Sequence, residues 1–225
     1  MPDHPWFEVD GPAEPDGEFE VGPEERAFLV SLREHTASFA SDDVYGDVGR
    51  TDPGDVLVAY VDLIDHEAGV HLAAYGVHFQ ADRVLGDVLG HELALPESPS
   101  ARALAASGTV ADLAWRSAAW IRDVLDRPVV LYVWLHERYA YAARFALADL
   151  DETLCQTYVE RFAPPDQARE LIAAGHVRGK GWIQTVGLSA PDLYFHVRGD
   201  LGRASLPAGV AAGTERGPIG GIWYA

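Results

Sequence analysis

The residues with the most chemistry to offer lie between positions 176 and 198. Side chains alternate along an extended chain, so the run GHVRGKGWIQTVGL sets His176, Arg178, Lys180, Trp182 and Gln184 on one face and Val177, Ile183 and two glycines on the other. The run PDLYFHVRGDL gives Tyr194, His196 and Arg198 a matching alternation. A hairpin turning near Ser189-Ala190-Pro191 would put both sets on one face. There the bases could clamp a phosphate, sulfate or carboxylate, the two rings could stack on an organic group, and Gly179 and Gly181 would let backbone amides approach. These eight residues are the candidate ligand site for a small anionic metabolite. The alternative is a solvated strand face whose bases pair with acids such as Asp192 and Asp200.

A smaller constellation is Asp62 and His71, which a turn at 65 to 68 would place opposite each other on paired strands. A carboxylate beside an imidazole fixes its tautomer and raises its basicity, as general-base chemistry requires, though an ordinary surface pair looks the same in sequence. His66, Glu67 and Asp65 could bind metal only with ligands borrowed from elsewhere. His71 and His78 are seven residues apart, an odd spacing that sends them to opposite strand faces. The chain contains no His-Glu-x-x-His, no Gly-x-Ser-x-Gly and no phosphate-loop pattern, so zinc hydrolase, serine hydrolase and nucleotide triphosphatase chemistry lose their main support. No cofactor or metal is implied, and no catalytic residue can be named. The one cysteine, Cys155, has no basic neighbour in sequence and reads as a structural thiol of a reducing compartment.

The elements that must position these residues follow from periodicity. Pro23-Glu24-Glu25 opens a helix over about 23 to 40 with Phe28, Leu29, Leu32, His35 and Phe39 on one side. A Gly/Asp-rich loop spans 41 to 54, and DVLVAYVDLI and GVHLAAYGVHF then predict a first hairpin. Residues 80 to 107, broken by PESPS, read as irregular. Thr109 caps a helix to about 126 whose buried stripe is Val110, Leu113, Ala114, Ile121, Val124 and Leu125, with Trp115 off that stripe. VVLYVWLHE and YAYAARFAL predict a second hairpin about Glu137-Arg138; its aromatic side, with Tyr132, Trp134, His136, Tyr139, Tyr141 and Phe145, is either a second core layer or a binding surface. Residues 151 to 162 predict a short helix capped by Asp151, and 164 to 174 another that stops at Gly175. The expected fold is therefore α+β, an antiparallel sheet of about three β-hairpins with helices packed on one face.

Length and charge bound the rest. The 225 residues, 48% hydrophobic, suffice for a sizeable core, here expected as one α+β domain over 23–225 behind an acidic Pro/Gly-rich arm at 1–22. Seventeen bases against 35 acids give a net charge of −18, which repels nucleic acid and anionic lipid. Nine of those acids, with no Lys or Arg, lie in residues 1 to 25. Trp6, Phe7 and Phe19 in that arm are candidate apolar anchors for a basic protein partner. The absence of a long apolar run and of a basic-then-apolar start predicts a soluble cytoplasmic protein, and the Ala/Gly/Val/Asp bias with a single Lys suggests a bacterial, GC-rich source. Two functions remain: an acidic protein-binding domain of the inhibitor, immunity or accessory type, or an enzyme or sensor for the small anion held at residues 176 to 198.

Overall fold

The computed structural model describes residues 6–8, 21–41, 43–52, 55–218 and 221. Its class is mixed α/β with mostly antiparallel sheets and three α-helices among the described residues. By internal contacts the chain groups into two units, 1–125 and 126–225. Their charge differs sharply: the first carries 24 acids and 7 bases, a net of −17, and the second 11 acids and 10 bases, a net of −1. No helix among the described residues is long and apolar enough to cross a membrane.

The first unit is a five-stranded antiparallel meander with one helix before it and one after it in the chain. Its elements are α1 (Pro23–Thr36), β1 (Val44–Arg50), β2 (Leu57–Asp65), β3 (Val70–Gln80), β4 (Arg83–Val88), β5 (Leu104–Ser107) and α2 (Val110–Leu125). Pro23 opens α1, and Glu25 both accepts the Gly22 amide and forks onto Arg50 of β1 at 2.8 and 3.0 Å. Thr109 accepts the Asp112 amide at the start of α2, as a capping residue should. The core forms on one sheet face, where Phe28 stacks on Phe79 and Trp120 meets the edge of Tyr75. Strand register places Val44, Val61, Leu63 and Val77 on that same face, all buried. The first hairpin and both flanking helices stand where the sequence put them, while β1, β4 and β5 occupy stretches read as loop or irregular chain.

Trp6 and Phe7 belong to this core. Trp6 is 3% exposed, donates its indole N–H to the Val44 carbonyl at 3.0 Å and meets the rings of Phe7 and Phe39 edge-on. Gly46 of β1 makes room for it, since a Cβ there would come within 2.6 Å of the indole. Both residues therefore serve their own core and are unavailable as anchors for a partner. Phe19 and most of the arm at 1–22 lie outside the described residues.

The second unit pairs its strands in the order β12-β11-β6-β7-β8. Here β6 is Val129–His136, β7 Tyr139–Leu147, β8 Glu152–Tyr158, β11 Leu193–Arg198 and β12 Ala211–Ala212; α3 (Gln167–Ala173) and a separate two-stranded ribbon of β9 (Val177–Arg178) and β10 (Trp182–Ile183) lie between β8 and β11. Glu137 and Arg138 both have positive φ, the geometry two-residue hairpins favour, and join β6 to β7 as expected. Val130, Tyr132, Trp134 and Tyr141 form a buried cluster joined by Tyr158, Phe162 and Tyr194, so the aromatic side of this hairpin is core. Residues 152 to 158 are a strand and no helix: Thr153, Thr157 and Tyr158 suit a pleated surface, and β7 offers its free edge. Cys155 thus sits on a strand opposite Phe145. The third expected hairpin does not form. Gly179 and Gly181, at φ 57° and 101°, turn the chain ten residues earlier, and β11 pairs with β6 instead.

Candidate functional site

The ribbon and β11 divide the predicted ligand residues between two sheets. On the ribbon Arg178 pairs with Trp182, which is 74% exposed, and Lys180 sits at the tip of the turn. Gln184 closes the ribbon by donating its backbone amide to the His176 carbonyl, and the His176 ring lies over Gly187. On β11, Tyr194 packs into the aromatic core, His196 shares hydrogen bonds with the carbonyls of Arg198 and Gly199 at 2.9 and 3.0 Å, and Arg198 follows a bulge beside Val129. Lys180 and Trp182 line one side of a groove of about 400 Å³ whose other side is Tyr158 and Glu160. The common face that would have gathered all eight residues is absent, because it depended on a hairpin that does not form.

The Asp62–His71 pair does form, with His71 Nε2 2.9 Å from Asp62 Oδ1 on the first sheet. It belongs to a wider acidic patch. Register sets Tyr45 opposite Asp62 and Asp47 opposite Tyr60, so these four alternate on the face away from Phe79 and Tyr75. Both tyrosine hydroxyls lie 3.3 Å from Asp47 Oδ2, long for an O–H···O bond. The negative charge of Asp47 raises the Tyr45 pKa, and burial followed by Asp47 and Asp62 raises that of Tyr60, so both remain neutral phenols. Tyr45 is 55% exposed, opposite Asp62 and two residues from Asp47 on the same strand face. Among the described residues no cluster of three or more His, Cys, Asp or Glu could hold a metal.

The second unit contains a cleft of about 610 Å³ that sequence reading did not find. At its floor lies Arg144 of β7, whose side chain is 7% exposed and whose guanidinium carbon stands 5.2 Å from the centre of the buried Tyr132 ring. Trp134 adds a wall, fixed by its indole N–H donating to the Ser189 carbonyl at 2.7 Å. The available signal was the lone charge in an otherwise apolar strand, YAYAARFAL, since a buried cation needs a partner or a task. Cys155 is half-buried, and burial pushes its thiol up, away from a reactive thiolate.

No protein-family model, curated protein or solved structure matches this chain. The functional argument therefore rests on charge, exposure and geometry.

Proposed function

We propose that the unit at residues 1–125 recognises a basic protein, and that the chain acts in the cytoplasm as an inhibitor, immunity-type or accessory protein. The observation that carries this reading is the confinement of −17 of the −18 charges to that unit. Such a field speeds encounter with a positive surface and penalises acidic competitors. The Tyr45, Asp47, Tyr60 and Asp62 face supplies a local recognition element: a Lys or Arg of the partner would meet two carboxylates beside a tyrosine ring, combining ion pairing with cation–π attraction.

Partner capture on the immobilised chain tests this, compared at roughly 0.05 M and 0.5 M salt, where screening changes several-fold. The bound protein should be basic, should leave at the higher salt and should be lost with Asp47→Asn/Asp62→Asn. Retention by that double variant, or capture of neutral and acidic proteins alone, refutes the reading.

A further inference from the structure

We propose that the cleft of the second unit binds a small organic carboxylate with an apolar body, held through Arg144. This site is independent of the recognition face in the first unit and involves none of its residues.

Three features of the cleft support the assignment. Arg144 is a permanently charged group placed almost wholly inside the protein, and its Nε finds no acceptor among the described residues. Its ion-pair partner, Asp151, is 76% exposed and 2.6 Å from Nη2. The pair is therefore lopsided: the guanidinium cannot leave, while the carboxylate keeps most of its hydration and can rotate into solvent. An incoming carboxylate would take the position Asp151 now fills and accept the same N–H, with the guanidinium fork able to offer a second. The other acid at the cleft, Asp149, is held by Arg127 through Oδ2 at 2.7 Å, while its buried Oδ1 has no hydrogen-bond partner among the described residues.

The apolar part of the ligand follows from the rim. Leu150 and Val186 both line the cleft and are among the large hydrophobic side chains most exposed to solvent, at 47% and 57%. Apolar side chains at the mouth above a cation at the floor match a molecule with one charged end and one greasy end. An inorganic anion would gain nothing from that rim.

Asp151→Asn provides the decisive test. Residue 151 has φ +52°, a conformation asparagine adopts as readily as aspartate, and the Asn amide oxygen can still accept from Arg144; urea unfolding of the variant checks that Arg144 tolerates the loss of its charged partner. Octanoate and phenylacetate are titrated into the full chain by calorimetry, with inorganic phosphate alongside. Saturable binding of the organic acids should tighten about tenfold or more in Asp151→Asn, because the competing carboxylate is gone. Leu150→Glu/Val186→Glu, confined to exposed positions, should abolish it. Absence of saturable binding in both wild type and Asp151→Asn overturns the proposal, as does equal affinity in the two. Phosphate binding as tightly as octanoate overturns it too.

Discussion

Replacing Trp6 by Ala should destabilise the first unit by about 4 kcal/mol. The indole is 3% exposed and meets Phe7 and Phe39 at centroid distances of 6.1 and 5.9 Å. Truncating a buried Trp to Ala usually costs about 3–5 kcal/mol through lost transfer energy and the cavity left behind. The loss should not fall at the low end, because the Val44 carbonyl also loses its donor and Val44 is itself buried. Leaving such an acceptor unpaired costs about 1–3 kcal/mol. Trp6→Phe separates the contributions: it keeps most of the ring packing and should lose about 1–2 kcal/mol. Urea unfolding followed by circular dichroism measures both variants. A glutamyl endopeptidase gives a local readout, since residues 1 to 25 offer trypsin no site and Glu8 follows the anchored pair directly. Cleavage there through the opened state should accelerate on the order of 1,000-fold in Trp6→Ala, the change in open-state population that about 4 kcal/mol implies. Stability within about 0.5 kcal/mol of wild type would refute the reasoning and return Trp6 to the role of a free anchor.

Other perturbations test the two sheets. Gly199 has φ +75°, and a Cβ there would lie 1.9 Å from the Arg127 carbonyl oxygen, so Gly199→Ala should cost about 2–4 kcal/mol in thermal unfolding; a neutral result would contradict this loop geometry. Burial lowers the His78 pKa from 6.5, so the folded chain holds fewer protons than the unfolded chain just below that pH. Stability from this group should be full above about 6.5 and fall as pH drops toward the lowered value, a slope that His78→Gln should flatten in urea titrations. Arg50 lowers the Glu25 pKa from 4.5, which gives the same sign in a more acidic window: its contribution stands above 4.5 and is lost as pH falls through the lowered value. Glu25→Gln should therefore cost about 1–3 kcal/mol at neutral pH and converge on wild type in acid; a constant difference across pH would remove the ion pair from the account.

The parts of the fold that sequence made legible are those in which local chemistry and tertiary pairing agree. Pro23 and Thr109 begin their helices, and the turns at 66–69 and 137–138 join strands that are neighbours in both chain and sheet. Reading failed where a partner distant in sequence decides the outcome. The β1 segment, VYGDVGR, looks like a loop because its glycines are cut to fit other side chains: Gly46 accommodates Trp6 and Gly49 accommodates Leu93. Residues 152 to 158 had a plausible capping Asp and no apolar alternation, and only the open edge of β7 makes them a strand. The expected common face of the third hairpin is missing for the same reason. Strand parity was sound within each segment, but the facing of two segments depends on a turn, and Gly179-Lys180-Gly181 offered a nearer one. Asp62 and His71 could be paired because their turn lies within a single hairpin.

The segregation of charge bears more weight than its total. An acidic surface is an ordinary means to solubility, and a net −18 on its own calls for no partner. Solubility, however, is needed by both units, and the second has −1 while holding 11 acids, nearly all offset by its 10 bases. Concentrating like charge in one unit also opposes its compact state by self-repulsion, a cost that spreading the same acids over the chain would reduce. A field fixed to one unit does what a diffuse one cannot: it orients the approach of a positive partner toward that unit. In the second unit the near-neutral balance has a consequence for chemistry. A buried cation such as Arg144 sits in a unit whose charges nearly cancel, so a small carboxylate approaching it meets little net repulsion from that unit once Asp151 has turned away.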